Sequence, residues 1–172
     1  VSTGAIVAIA FVGMLVAAFV PLRIDVARQR RAVETARARL AVAKVRRRAE
    51  GVPVEVVLKI GERFTHIPRA STVALADDGF YCLSADGRWG GRVRFATGPA
   101  GPGDVVLAAT PALVKGAAAV GGDLPAWLAA GLSALPPDGL VLQFQGDLSW
   151  FIAVPDAADW HAALTQAIRE AA

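Results

Sequence analysis

The hydrophobic and polar positions divide the chain into three stretches with different periods. From Gly4 to Leu22 there is no charged side chain, and Ile6, Val7, Ile9, Phe11, Met14, Leu15, Val16, Phe19 and Val20 leave little polar surface on any side of a helix. At ~1.5 Å per residue such a helix spans ~28 Å, close to the hydrocarbon thickness of a bilayer. Residues 1–22 are therefore predicted to be a transmembrane anchor. Pro21 falls at its end, where a helix break is tolerated. The small residues Gly4, Ala8, Gly13 and Ala17 would let another integral membrane protein pack closely against it.

The second stretch, residues 23–51, has a seven-residue period. Val26, Val33 and Leu40 recur at that spacing, with Gln29, Ala36 and Ala43 three positions after each. No proline or glycine interrupts Arg23 to Glu50, so a helical stem is expected. Its heptad-like seam offers self-association through a short coiled coil, and the competing expectation is a solvated helix on the membrane surface. Charge changes the picture here. Residues 23–48 carry ten basic and two acidic side chains, net +8, whereas residues 49–172 are net −5. Basic residues beside a spanning helix stay on the cytoplasmic side. The expected placement is a single-pass protein of the bacterial plasma (inner) membrane, N-terminus outside and C-terminal domain in the cytoplasm. Arg23, Arg28, Arg30, Arg31, Arg46, Arg47 and Arg48 would then face the lipid bilayer, where each cation near an anionic surface contributes roughly 1 kcal/mol. Interleaved aromatics are missing from this stem, so nucleic acid is not an expected partner.

Gly51, Val52 and Pro53 end the stem, and residues 52–172 read as an α+β domain. Short β-branched runs bounded by turn residues predict strands at 54–60, 63–67, 73–76, 80–84, 92–96 and 104–109. Asp77-Asp78-Gly79 is a hairpin signal, and the Gly/Pro run from Gly98 to Gly103 reads as an exposed loop. Thr110-Pro111 looks like an N-cap with proline at the first helical position, predicting a helix to Ala119. Asp123, Trp127, Leu128, Leu132 and Leu135 predict another. Leu140, Leu142 and Phe144 alternate with polar positions, Gly146-Asp147 turns the chain, and Leu148 to Val154 returns as the partner strand. Pro155-Asp156 then opens a last amphipathic helix with Trp160, Leu164, Ala167 and Ile168 on its apolar face.

The hairpin Leu140–Val154, the helix Asp156–Glu170 directly after it and the meander Val54–Ala96 before them resemble bacterial pleckstrin-homology-like domains. The resemblance implies an antiparallel curved sheet, or partial barrel, capped by the C-terminal helix. It also implies a module that binds lipid headgroups or other proteins. The excursion from Thr110 to Leu135 departs from that simple pattern.

Candidate chemistry is sparse. His66 and His161 have no second ligand at helical or strand spacing, and Cys82, between Tyr81 and Leu83, is expected to be a buried inert thiol. The Gly98–Gly103 run lacks the Lys-Ser/Thr of a phosphate loop, and its prolines remove amide donors. Asp77-Asp78 fits a turn. No catalytic residue, metal or cofactor is expected. The suggestive local cluster is Arg88-Trp89-Gly90-Gly91-Arg92-Val93-Arg94, where Arg92 and Arg94 would share a strand face as a headgroup or partner contact with Arg88 and Trp89. The whole-chain figures, 55% hydrophobic, mean hydropathy +0.47, net charge +3 and one cysteine, average over these unlike stretches and exclude an intramolecular disulfide framework. The expected function is a non-catalytic interaction or scaffold protein, an accessory subunit of a membrane assembly. The alternatives are a sensor of anionic lipid and a membrane-associated enzyme.

Overall fold

The computed structural model describes residues 27–60, 63–95, 99–116, 118–121, 124, 126–131, 135–144 and 148–171. A helix, α1, covers residues 27–42. Nine strands follow: β1 Val45–Ile60, β2 Arg63–Ala76, β3 Gly79–Ser84, β4 Gly90–Arg94, β5 Asp104–Val105, β6 Ala112–Lys115, β7 Ala118–Gly121, β8 Gly139–Phe144 and β9 Leu148–Ile152. Helix α2, Ala126–Gly131, lies between β7 and β8, and α3, Ala157–Ala171, comes last. The strands form one sheet in the order β5-β4-β3-β2-β1-β9-β8-β6-β7, antiparallel except for the parallel pair β4–β5.

Side-chain alternation along the strands builds three cores. One face of β1, β2, β3, β4, β8 and β9 gathers Val54, Leu75, Phe80, Val93, Leu142, Trp150 and Ile152 into a single cluster with Trp160 and Leu164 of α3. Strands far apart in the sheet order share that cluster, so the sheet is curled around it. Trp89, just before β4, meets Trp150 of β9 edge-on at 4.8 Å between ring centroids. The segment after the Gly/Pro run draws the curl together. Asp104 and Val105 pair with β4, then Leu107 bridges to Phe144 and the Ala108 N–H donates to the Gln143 carbonyl at 2.8 Å. On the outer face, α2 covers β6, β8 and β9 through Leu128, Ala112, Val114, Val141 and Phe151. Helix α1 covers β2 and β3, with Val33, Ala36 and Leu40 on Ala74, Ala76, Tyr81 and Leu83.

Several expectations are corrected. Among the described residues no helix is long and apolar enough to cross a membrane. Helix α1 is studded with arginine, and α2 and α3 have 6 and 15 residues, against the ~20 apolar residues a span requires. The predicted span, with Gly4, Ala8, Gly13 and Ala17, lies outside the described residues, as does Arg23. Among the described residues the architecture therefore holds no transmembrane helix, and the single-pass plasma-membrane placement, N-terminus outside and domain in the cytoplasm, finds no support there. The sheet is mixed, with nine strands, rather than a purely antiparallel partial barrel.

The stem is not one helix either. It ends at residue 42, and residues 45–50 are strand, Arg48 pairing with Ala74 and Ala49 with Val73. Good helix formers are overridden because β2 presents a ladder of backbone partners, interrupted at Arg46 and at Glu50-Gly51. Gly51, expected to terminate the helix, instead sits at φ 66° in a bulge between Ala49 and Val52. The seam read as a coiled coil is already occupied, since Val33, Ala36 and Leu40 are buried against the chain's own sheet. The predicted helix from Thr110 to Ala119 is two strands, β6 and β7, turning at Gly116 with φ 60°. Ala112 and Val114 face α2 while Leu113 packs toward the opposite core, a period of two that the local Thr-Pro signal concealed.

Candidate functional site

The arginines of the basic stretch separate into two sets. On α1, Arg28, Arg30 and Arg31 are exposed and form no ion pair among the described residues. Arg46, Arg47 and Arg48 project from the start of β1 and are engaged. Arg46 donates from Nε to Asp77 in the β2–β3 turn and from Nη1 to Glu170 near the end of α3 at 3.0 Å. These hydrogen bonds hold both carboxyls below their ordinary range. Arg47 points to the α3 side, its guanidinium 5.0 Å from the Trp160 ring centroid. Arg48 points to the α1 side and pairs with Glu50 at 2.7 Å. Two of the cations expected to face lipid, Arg46 and Arg47, therefore tie β1 to neighbouring elements, while Arg48 makes an exposed pair within its own strand.

The cluster around β4 has a similar fate. Arg92 is the centre of an ion network. Its Nε and Nη2 donate to the Asp104 carboxylate at 2.8 and 3.1 Å, and its Nη1 donates to Asp78 at 2.6 Å. Asp104 also accepts from Arg39 of α1 at 2.9 Å and from the Gly101 N–H at 2.9 Å, with its side chain 2% exposed. Burial works against the Asp104 charge, but the hydrogen bonds from Arg92 and Gly101 outweigh it and hold the carboxyl below its usual range. Tyr81 donates to Asp78 at 2.7 Å, and burial first, then that bond, pushes its phenol up to about 12. The network ties α1, β4 and the Gly/Pro loop together. At Gly103, φ 82°, the loop runs so close to the Ala32 carbonyl that no Cβ would fit. The Gly/Pro run is an exposed loop at Pro99, Ala100 and Pro102, as expected, and it also meets α1 at Gly103. Trp89 is half-buried on Trp150, Arg88 is exposed, and Arg94 ends β4 on the same face as Arg92.

Cys82 is buried, and burial pushes its thiol up to about 12, out of nucleophilic range at neutral pH. His161 lies 2.9 Å by Nε2 from the Pro111 carbonyl, a bond that fastens α3 to the start of β6. The His66 side chain lies outside what is described. Among the described residues no three His, Cys, Asp or Glu side chains come together in a way that could hold a metal ion.

Two features escaped the sequence reading. Asp104 joins Arg39 and Arg92 across separations of 65 and 12 residues, which no local pattern announces. Arg37, exposed at the mouth of a cleft between α1 and the sheet, did leave a signal. It stands seven residues after Arg30, on the stripe flanking the buried seam. Comparison with protein-family models, with curated proteins and with solved structures finds no match to this chain. The pleckstrin-homology-like resemblance therefore rests on the sequence pattern alone.

Proposed function

We propose that this protein is a non-catalytic interaction module that docks on an anionic lipid surface through the outer face of α1. The observation that carries this reading is the division of the arginines. Arg39, Arg46 and Arg92, at the helix–sheet junctions, are neutralised within the chain, whereas Arg28, Arg30 and Arg31 are exposed beside a single acidic neighbour on the helix, Glu34. Near an anionic leaflet three such cations contribute roughly 3 kcal/mol together, a weak attraction that raises the bound fraction on an anionic surface.

Flotation of the full chain with phosphatidylcholine vesicles, with and without phosphatidylserine, tests it. Phosphatidylserine should increase the bound fraction. That increment should fall with added salt and largely disappear in the Arg28→Gln, Arg30→Gln, Arg31→Gln variant. An increment unchanged in the triple variant sinks the proposal.

A scaffold role toward a protein partner in a larger membrane-associated assembly is the second reading. Its supporting observation is that β7 ends the sheet, with Ala118 and Ala119 exposed and no strand beyond it among the described residues. A partner of that kind would add an extended segment to this edge. Proline placed at Ala119 would then abolish its co-purification and leave vesicle binding intact.

A further inference from the structure

Between α1 and the outer face of the sheet lies a cleft of about 260 Å³ whose walls are charged and whose floor is apolar. Arg37 stands on the helix wall and Arg48 on the β1 wall. Leu40 and Leu83 form the floor, and Thr72 supplies a hydroxyl, that of Ser84 being taken up by Asp86 and the Trp89 N–H. Three features of its chemistry point the same way. Arg37 has no ion-pair partner among the described residues, and its guanidinium lies beside Gly87 at the cleft mouth. The carboxylate of the adjacent turn, Asp86, is occupied elsewhere, accepting from the Ser84 hydroxyl at 2.6 Å and the Arg88 N–H at 3.0 Å. Arg48 is only partly neutralised, sharing its guanidinium with Glu50 at an exposed site. Two arginines thus line one small space, Arg37 from α1 and Arg48 from β1, together with Thr72 of β2.

We propose that this cleft binds a phosphomonoester. A dianion matches two guanidinium forks, which bond phosphate oxygens in pairs, and the third oxygen falls to a hydroxyl. The leucine floor accommodates the short carbon stem that carries the phosphate. The volume lies below the roughly 300–1,000 Å³ of sites that enclose larger ligands, which limits the occupant to a headgroup-sized molecule. The inference deepens the anionic-surface reading and rests on it for one source of the ligand, the phosphatidic acid headgroup. The other source is a free phosphomonoester of the same chemistry.

The test uses the full chain in two arms. Calorimetry measures binding of glycerol 3-phosphate, with inorganic phosphate as the minimal probe. Flotation compares phosphatidic acid with phosphatidylserine vesicles at matched surface charge. Binding of glycerol 3-phosphate together with a preference for phosphatidic acid supports the site with lipid as its source. Soluble binding without that preference supports the site with the free compound as its source. In either case Arg37→Gln and Thr72→Val should each weaken binding, Arg37→Gln by about tenfold, the loss of one charge-assisted pair of hydrogen bonds. Lys115→Gln, an equal charge change on β6, should not. Absence of soluble binding together with equal affinity for the two vesicle types overturns the cleft while leaving the surface reading standing. Equal losses in Arg37→Gln and Lys115→Gln overturn it too, since they would report only net charge. Failure to bind any anionic vesicle overturns both readings.

Discussion

Arg28, Arg30 and Arg31 on α1 and Arg46, Arg47 and Arg48 on β1 come from one basic stretch of the chain and meet very different surroundings. The first three radiate from a helix whose other side is buried through Val33, Ala36 and Leu40, so they project into solvent. The second three sit on a strand, where alternation sends Arg47 toward α3 and Arg48 toward α1. Arg46, at the irregular pairing near the start of β1, reaches both Asp77 and Glu170. Each of these last three meets a carboxylate or an aromatic ring. A helix of this size presents its flank to water, whereas a strand between two covering helices presents both sides to neighbours. The lesson is that a basic run does not define one surface. The secondary structure that each part adopts decides whether its charge is available to a partner or used within the fold.

The strongest way to break this contrast is to remove the clamp that fixes α1. Asp104→Ala strips the shared acceptor from Arg39 and leaves Arg92, whose side chain is 11% exposed, with Asp78 as its remaining carboxylate. Losing one partner of a largely buried ion network should cost roughly 3 kcal/mol, read from urea denaturation midpoints. The same carboxyl gives a pH signature. Its native value is depressed, so its stabilisation is complete above about pH 4, the unfolded value, and is lost as pH falls through the lower native value. Hydrogen exchange of α1 amides, corrected for intrinsic rates, should show loss of protection only on that acid side.

Leu40→Ala probes the apolar half of the same docking. It removes a side chain buried against β2 and β3 and should cost about 2 kcal/mol, with exchange protection falling more in α1 than in α3. The smallest effect compares the two arginine sets directly. Arg47→Ala forfeits the contact over Trp160 and should lower stability by about 0.5–1 kcal/mol, while Arg31→Ala should leave the denaturation midpoint unchanged. Equal losses from the two would show that α1 and β1 do not divide the arginines in the way described.

Much of this was legible locally. The seam Val33–Ala36–Leu40 announced a helix with one apolar side, the alternation of Leu140, Leu142 and Phe144 announced β8, and Trp160, Leu164 and Ala167 announced the buried side of α3. The error about the seam concerned its partner, because a period of seven states that a face is apolar without stating what covers it. At Thr110-Pro111 a helix-start signal outweighed a strand alternation of only four residues, Ala112 to Lys115, too short to compete without its β8 partner. Of the candidate site, the exposed arginines of α1 followed from composition and spacing. The occupied arginines did not, because Arg46 finds its acids 31 and 124 residues away.

By itself the sequence determined the periods: a helix with one apolar stripe, a tight hairpin of alternating residues, an amphipathic terminal helix and a steep charge gradient from one end to the other. Those depend on neighbours within a turn or two of the chain, where spacing alone sets which side chains share a face. The tertiary structure decided where α1 stops, which strands close the curl through residues 104–108, and which cations remain available. Each of those outcomes depends on backbone ladders and ion pairs between distant segments. Their energies exceed local propensity and exist only once the sheet has brought the segments together.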